Sequence, residues 1–294
     1  TKAHLRSLNI EFSQRDIMEC YMIMGGIPFY QSLLKPGVSM AQNIDNLFFN
    51  PDGLLADEFE NLYVSLFEES ERYVKIVESL SLKAKGMTRK EIQDVLGIKS
   101  SGTLTSCLEN LENCDLIRSF RGYGKTARQT MYQLMDFYTL FYFRFLRNRA
   151  ASADGLWMHI QGNPRHNAWC GYAFEQLCLA HYPQIASALG IMGIHSEVFS
   201  WISDQKEGGA QIDLVIKRAD RIVNVCEMKY WRDKFRLTQK YIDDLQNKID
   251  VFRRENKLTQ AVHLVMVTTC GLSNPSFSSL VQKELTAEDL FKEI

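Results

Sequence analysis

Two neighbouring stretches decide the fold of the C-terminal half of this chain: Ala210-Gln-Ile-Asp-Leu-Val-Ile-Lys217 and Ile222-Val-Asn-Val-Cys-Glu-Met-Lys229. Both are rich in aliphatic and β-branched residues and are separated by a short polar turn, so they predict two adjacent strands. A third strand is predicted at 196–201, and the nearly continuous apolar run 261–267 is typical of a strand covered on both faces. Before that run, an apolar stripe at helical spacing predicts a helix capped by Thr238; its members are Tyr241, Leu245, Ile249 and Phe252.

Acidic and basic side chains recur within these apolar strands. Because side chains alternate between the two faces of a strand, Gln211 and Asp213 share one face of the first strand, and Glu227 and Lys229 share one face of the second. The sequence leaves the register open, and with it the distance from Asp213 to Glu227. Glu175 lies in the apolar stretch 168–179, predicted to be a buried helix, where a carboxylate is costly unless it is paired or binds a metal.

The amino-acid composition limits the classes of protein to which this chain can belong. The chain has 294 residues, 23% of them charged, and a net charge of −1, as in a folded globular protein rather than a polycation. Its seven cysteines are scattered without a C-x-x-C pair, which argues against disulfides and zinc and predicts a reducing, cytoplasmic location. No apolar stretch is long enough to span a membrane, so no membrane partner is expected.

Charge is distributed unevenly along the chain. Residues 1–70 carry a net charge of −6, residues 71–134 of +4 and residues 135–294 of +1. Together with the helix and strand patterns, this predicts three parts: a helical segment at 1–70, a helix-turn-helix part at 71–150, and an α/β part at 151–294. The basic middle part is the expected site of contact with a polyanion.

The middle part resembles a winged helix. Three predicted helices are followed by a hairpin, and the second helix begins with a capping box formed by Thr88 and Glu91. Residues proposed to contact a nucleic-acid backbone lie in the hairpin: Arg118, Arg121, Lys125 and Arg128. The outward face of the third helix has no Arg or Lys, so backbone contact is favoured over reading of bases, and a role in domain packing alone stays open.

One apparent nucleotide motif is rejected. Gly124-Lys125-Thr126 matches the end of a P-loop signature, but its first glycine is replaced by Ser119. The triplet also lies in a predicted hairpin turn and not between a strand and a helix. No ATPase activity is expected from this chain alone.

The order of helix, three strands, helix and strand, with its polar residues, resembles the PD-(D/E)xK nuclease superfamily. The match rests on Glu175, Asp213, Glu227 and Lys229, with Gln211 two residues before the Asp as in many prokaryotic relatives. The usual Pro before the Asp is replaced by Ile212. The resemblance implies a restriction-endonuclease-like mixed sheet flanked by helices, preceded here by the winged helix and the N-terminal helical segment.

A wider resemblance links nearly the whole chain to a family of bacterial and archaeal P-loop ATPases of the AAA/STAND type. It rests on five stretches: Tyr21-Met-Ile-Met-Gly-Gly-Ile-Pro-Phe29, Asp52-Gly-Leu-Leu-Ala-Asp-Glu-Phe59, Leu134-Met-Asp-Phe-Tyr-Thr-Leu-Phe-Tyr142, Gly171-Tyr-Ala-Phe-Glu175 and Gly209-Ala-Gln-Ile-Asp-Leu-Val215. It implies that residues 1–70 are the lid end of an ATPase whose nucleotide-binding core is absent. The chain, which starts at Thr1, is then expected to be a piece of a longer protein or a stand-alone remnant.

The nuclease resemblance implies metal-assisted phosphodiester hydrolysis. Asp213, Glu227, the main-chain carbonyl of Met228 and Glu175 would hold Mg²⁺ or Mn²⁺, and Lys229 would orient the attacking water. Three carboxylates repel one another without a cation, so an intact site should bind a divalent ion. No organic cofactor is expected.

Two other classes of function remain open. In the first alternative, the chain is a non-catalytic module that binds nucleic acid or regulates another protein. In the second, it is an interaction module that docks an ATPase core or another copy of itself. DNA is the favoured nucleic-acid partner, although the sequence does not separate it from RNA.

Overall fold

The computed structural model of the chain describes residues 1–99, 102–126, 129–149, 155–203, 209–273 and 280–294. Within these ranges the helices are α1 (Lys2–Ser7), α2 (Gln14–Met24), α3 (Pro28–Ser32), α4 (Met40–Ile44), α5 (Glu58–Leu66), α6 (Ser70–Ser81), α7 (Arg89–Leu96), α8 (Gly102–Asn113), α9 (Phe137–Phe141), α10 (Leu156–Ile160), α11 (Pro164–Ala180), α12 (Tyr182–Ala188), α13 (Gln239–Glu255) and α14 (Ala287–Leu290). The strands are β1 (Met87–Thr88), β2 (Ile117–Phe120), β3 (Met131–Leu134), β4 (Ser196–Ile202), β5 (Gln211–Arg218), β6 (Ile222–Lys229), β7 (Ala261–Thr268) and β8 (Val281–Thr286). Short π-helical segments follow α4 and α9, at Asp45–Phe49 and Tyr142–Leu146.

The fold is mixed α/β and forms two compact units. The first holds residues 1–119 and 131–173, and the second holds residues 120–130 and 174–294. The division falls within α11, between Ala173 and Phe174. The three-part division expected from the sequence stays a prediction.

Helix ends in the first unit follow local sequence signals. Ser13 caps α2 by accepting a hydrogen bond from the Asp16 amide, and α2 ends at Gly25. The capping box predicted for α7 is present: Glu91 N donates to Thr88 Oγ1 at 3.2 Å, and Thr88 N donates to Glu91 Oε2 at 2.7 Å. These contacts satisfy amide groups that have no partner within the helix.

The first unit is built around helices and one small sheet. Its three strands lie in the order β1–β3–β2, with β1 antiparallel to β3. Large aromatic side chains are fully buried in this unit and supply much of its apolar core; they are Phe48, Phe49, Tyr63, Tyr138, Phe141 and Trp157.

The second unit contains a five-stranded mixed sheet in the order β4–β5–β6–β7–β8. Strands β4, β5 and β6 are antiparallel neighbours, whereas β6, β7 and β8 run parallel. Helix α13 connects β6 to the parallel strand β7, a connection that needs a crossover. The apolar stripe of α13 packs on the sheet through Leu245, Ile249 and Phe252, as its spacing predicts.

Gly122 and Tyr123 belong to the second unit and contact its sheet. Gly122 pairs with Ser200 of β4, and the Tyr123 amide donates to the Ser200 carbonyl at 2.8 Å. The Tyr123 ring contacts Phe199 and Phe252 edge-on, with centroid distances of 5.3 and 5.2 Å. The start of the predicted turn, at Gly122 and Tyr123, is therefore held by the five-stranded sheet and its core.

Across the described part of the chain, none of the helices combines the length and the apolar character that crossing a bilayer requires.

Candidate active site

The register of the sheet brings the predicted acidic residues together. Leu214 of β5 pairs with Cys226 of β6, and Val215 pairs with Val225, so the next position along the two strands places Asp213 beside Glu227. Both carboxylates are in odd-numbered positions, whose side chains share the sheet face that α13 covers.

Glu227 lies at the centre of a hydrogen-bonded cluster and is only 5% exposed. Its Oε1 accepts from the Tyr241 hydroxyl at 2.9 Å and lies 3.0 Å from Lys229 Nζ. Its Oε2 accepts from Lys248 Nζ at 2.6 Å. Burial by itself raises the pKa of Glu227, but the two ammonium groups outweigh burial and bring the pKa below its ordinary value. Glu227 is therefore an anion held by two cations.

Asp213 and Glu175 are half-buried carboxyl groups whose pKa values are raised above their ordinary values. Burial, followed by the charge of Glu227, raises the pKa of Asp213, whose Oδ1 accepts from Gln211 Nε2 at 2.6 Å. Burial, followed by the charge of Asp213, raises the pKa of Glu175 to about 8. Glu175 thus lies within electrostatic reach of the strand residues, and it is largely protonated at neutral pH.

The structure brings Glu175, Gln211, Asp213, Glu227 and Lys229 into one site. Met228 lies between Glu227 and Lys229, and its side chain is buried. Its backbone lies in the pairing of β6 with β7, opposite Val267.

Sequence reasoning missed two members of the site, Tyr241 and Lys248. They lie seven residues apart on α13, which is close to two helical turns and puts both on the face toward Glu227. Lys229 also lies over the Tyr241 ring, 5.7 Å from its centroid. The seven-residue spacing is the signal in the sequence that could identify the pair, although the apolar stripe that includes Tyr241 predicts a packing role for its ring.

Of the four predicted hairpin cations, the structure describes Arg118, Arg121 and Lys125. Arg118 Nε donates to Gln133 Oε1 at 2.9 Å, within the three-stranded sheet. Arg121 is exposed and Lys125 is half-exposed, in the segment packed on β4. Arg128 lies outside the described residues. Their predicted contact with nucleic acid stays a prediction.

Within the described ranges, no group of three or more His, Cys, Asp or Glu residues is arranged to enclose a metal ion. The geometry gives one reason: the carboxylate oxygens of Glu227 face two ammonium groups and a phenol. The sequence motif contains one lysine, Lys229, whereas the structure places a second ammonium group, that of Lys248, beside Glu227.

Comparison of the chain with protein-family models, with curated proteins and with solved structures finds no match.

Proposed function

We propose that the second unit is a restriction-endonuclease-like domain of the PD-(D/E)xK type that hydrolyses phosphodiester bonds of nucleic acid. The observation that carries this proposal is that Asp213 and Glu227 lie side by side on a mixed sheet, with Lys229 paired to Glu227 and Glu175 of helix α11 within electrostatic reach. Carboxylates beside a lysine at a partly open site suit the binding of a cation and of a phosphate. DNA is the favoured substrate.

The donor set fits a divalent cation such as Mg²⁺ or Mn²⁺ in its chemistry. Asp213 and Glu175 carry carboxylate oxygens, the ligands that hard cations prefer, and burial followed by like charge raises the pKa of each. Glu227 would join them once an ammonium group moves away, and Met228 would add its main-chain carbonyl. When bound, the ion would polarise a phosphoryl oxygen and lower the pKa of a coordinated water.

The other residues have roles that follow from their contacts. Lys229, a third exposed, is held by Glu227 and the Tyr241 ring and would balance charge on a bound phosphate. Tyr241 orients Glu227 through its hydroxyl. Gln211 orients Asp213 through its side-chain amide. Glu175 holds a proton at neutral pH and would release it as a cation binds.

A second candidate function is a non-catalytic nucleic-acid-binding or regulatory module. The observation that favours it is the double ion pair of Glu227 with Lys229 and Lys248, which balances the charge of this carboxylate without a metal. In this case the fold serves as a platform and cleaves nothing.

For the first unit we propose a winged helix made of α6, α7, α8 and the three-stranded sheet, preceded by a lid-like helical part. The capping box of α7 and the order of helices before β2 and β3 support this assignment. We further propose, from the resemblance of the sequence to AAA/STAND ATPases, that this part docks an ATPase core or a second copy of the chain. A cytoplasmic location accords with its cysteine usage.

The test of the proposed hydrolysis is a nuclease assay with the purified chain, Mg²⁺ or Mn²⁺, and single- and double-stranded DNA and RNA. We expect the wild type to cleave nucleic acid. We expect Lys229→Ala to cleave at least ~100-fold more slowly, because removing one group that stabilises charge in a transition state has an effect of about this size. Lys217→Ala is the matched control, because Lys217 lies on β5 and pairs with Glu197 at 3.1 Å, away from the site. Equal cleavage by Lys229→Ala and the wild type would contradict the proposal.

A further inference from the structure

An exposed tryptophan follows the site directly in the chain. Trp231 is 54% exposed, whereas the other three tryptophans, Trp157, Trp169 and Trp201, are each at most 3% exposed. A large aromatic ring left in water is a ready stacking surface for a planar ligand.

Basic residues follow this tryptophan in the sequence. Between Trp231 and the first turn of α13, four exposed basic residues occur with one acidic residue, Asp233; they are Arg232, Lys234, Arg236 and Lys240. None of the four forms an ion pair with any residue in the described ranges. This stretch is strongly basic within a chain of net charge −1.

Backbone contacts hold the stretch in place. The Trp231 amide donates to Thr269 Oγ1 at 2.9 Å, and the Phe235 amide donates to the Gly271 carbonyl at 2.7 Å. Phe235 packs against the core and Leu237 is 1% exposed, so alternation turns Lys234 and Arg236 outward. The surface is therefore formed before any ligand arrives, which lowers the entropic cost of binding.

A line of rings connects this surface to the candidate active site. Trp231 contacts Phe235 edge-on at 5.8 Å between centroids, and Phe235 contacts Tyr241 at 5.2 Å. Tyr241 in turn bonds Glu227. The Phe235 ring thus lies between the exposed Trp231 and Tyr241 of the candidate active site.

We propose that Trp231, Arg232, Lys234, Arg236 and Lys240 form a binding surface for single-stranded nucleic acid, with an unpaired base stacked on Trp231 and phosphates bound by the four cations. Stacking on an exposed ring requires a base that is not already stacked in a duplex, and basic residues around it follow the phosphate backbone. This inference rests on the proposed function and names its substrate class: unpaired strands of DNA or RNA, bound next to Glu227 and Lys229.

The test is binding in EDTA, where no cleavage occurs, of the whole chain to labelled oligothymidylate, oligouridylate and a mixed-sequence duplex. We expect both single strands to bind more tightly than the duplex and to quench the fluorescence of Trp231, the one exposed tryptophan. Trp231→Ala should weaken binding about 10-fold, and Trp231→Phe should retain most of the affinity. A duplex preference, or equal binding by Trp231→Ala and the wild type, would overturn the proposal.

Salt dependence tests the cations. Arg236→Ala should lower the slope of log affinity against log salt by about 0.7, the value for one phosphate contact on a single strand. Arg254→Ala is the control, because Arg254 is exposed near the C-terminal end of α13, about 21 Å along the helix from Lys240. An unchanged slope for Arg236→Ala, or an equal change for Arg254→Ala, would count against the surface.

The experiments distinguish a failure of the proposed binding surface from a failure of the proposed hydrolysis. If the chain binds single strands through Trp231 but cleaves nothing with Mg²⁺ or Mn²⁺, the result supports the binding surface and contradicts the proposed hydrolysis. If the wild type and Trp231→Ala cleave duplexes equally well, the result supports the hydrolysis and contradicts the binding surface.

Discussion

The ammonium nitrogen of Lys248 lies 2.6 Å from Oε2 of Glu227, although the two residues are 21 positions apart in the chain. The pair joins a helix to a strand at the centre of the candidate active site. Both side chains are largely buried, with 22% and 7% of their surface exposed, so water screens the interaction little. Lys248 thus occupies the carboxylate oxygen of Glu227 that a metal ion would need.

Removing Lys248 should destabilise the fold and open the site to metal. In Lys248→Met, Glu227 keeps Lys229 and Tyr241 but loses its shortest ion pair, so we expect the free energy of unfolding to fall by about 2 kcal/mol. Urea unfolding measures this loss. Lys240→Met, on the exposed side of the same helix, is the control and should change stability by less than about 0.5 kcal/mol.

The same variant reports on metal binding. With Lys248 absent, Glu227 carries less compensated charge, so Mg²⁺ should raise the melting temperature of Lys248→Met more than that of the wild type. A smaller effect of Mg²⁺ on the variant would show that Lys248 does not compete with a cation.

Asp213 should be required for any stabilisation by divalent ions. Its carboxyl group is the predicted ligand on β5, so Asp213→Asn should abolish the rise in melting temperature that Mg²⁺ produces in the wild type. Differential scanning fluorimetry with Mg²⁺ and with EDTA measures this rise. Asp220→Asn should respond like the wild type, because Asp220 lies in the turn after β5 and pairs with Arg218. Equal Mg²⁺ responses of Asp213→Asn and Asp220→Asn would argue against the metal site.

Glu175 should make stability fall as pH rises. Burial and the charge of Asp213 raise its pKa from 4.5 to about 8, so between these values the folded chain holds a proton that the unfolded chain releases. Stability then decreases with pH across this window, because the folded state binds more protons. Each pKa unit corresponds to about 1.4 kcal/mol, an upper bound on the loss per pH unit.

Glu175→Gln isolates this contribution. Glutamine does not titrate, so the free energy of unfolding of the variant should fall less than that of the wild type from about pH 5 to about pH 8. Urea unfolding at several pH values measures both curves. Glu288→Gln, at an exposed position of α14, should follow the wild-type curve. Parallel curves for Glu175→Gln and the wild type would contradict the assignment.

Tyr123 should stabilise the second unit through its ring. Contacts with Phe199 and Phe252 are lost in Tyr123→Ala, and we expect the free energy of unfolding to fall by about 2 kcal/mol. Tyr123→Phe keeps the ring and should stay within about 0.5 kcal/mol of the wild type. Equal urea midpoints for Tyr123→Ala and Tyr123→Phe would show that the ring contributes nothing.

Local patterns predicted many elements because their causes are local. The capping box of Thr88 and Glu91 involves groups three residues apart, and the structure has it. The alternation in β5 and β6 likewise placed both strands within a residue of their observed bounds. The sequence pattern does not predict strand β8, because its centre, residues 282–284, is polar and exposed, as at the edge of a sheet.

By itself, the sequence determined which side chains share a strand face: Asp213 with Gln211, and Glu227 with Lys229. This follows from the two-residue period of a strand and needs no distant contact. Only the tertiary structure decided the register that sets Asp213 beside Glu227, and the packing of α13 that brings Tyr241 and Lys248 to them. The physical reason is that register and packing depend on burying apolar surface from distant segments, which no local spacing encodes.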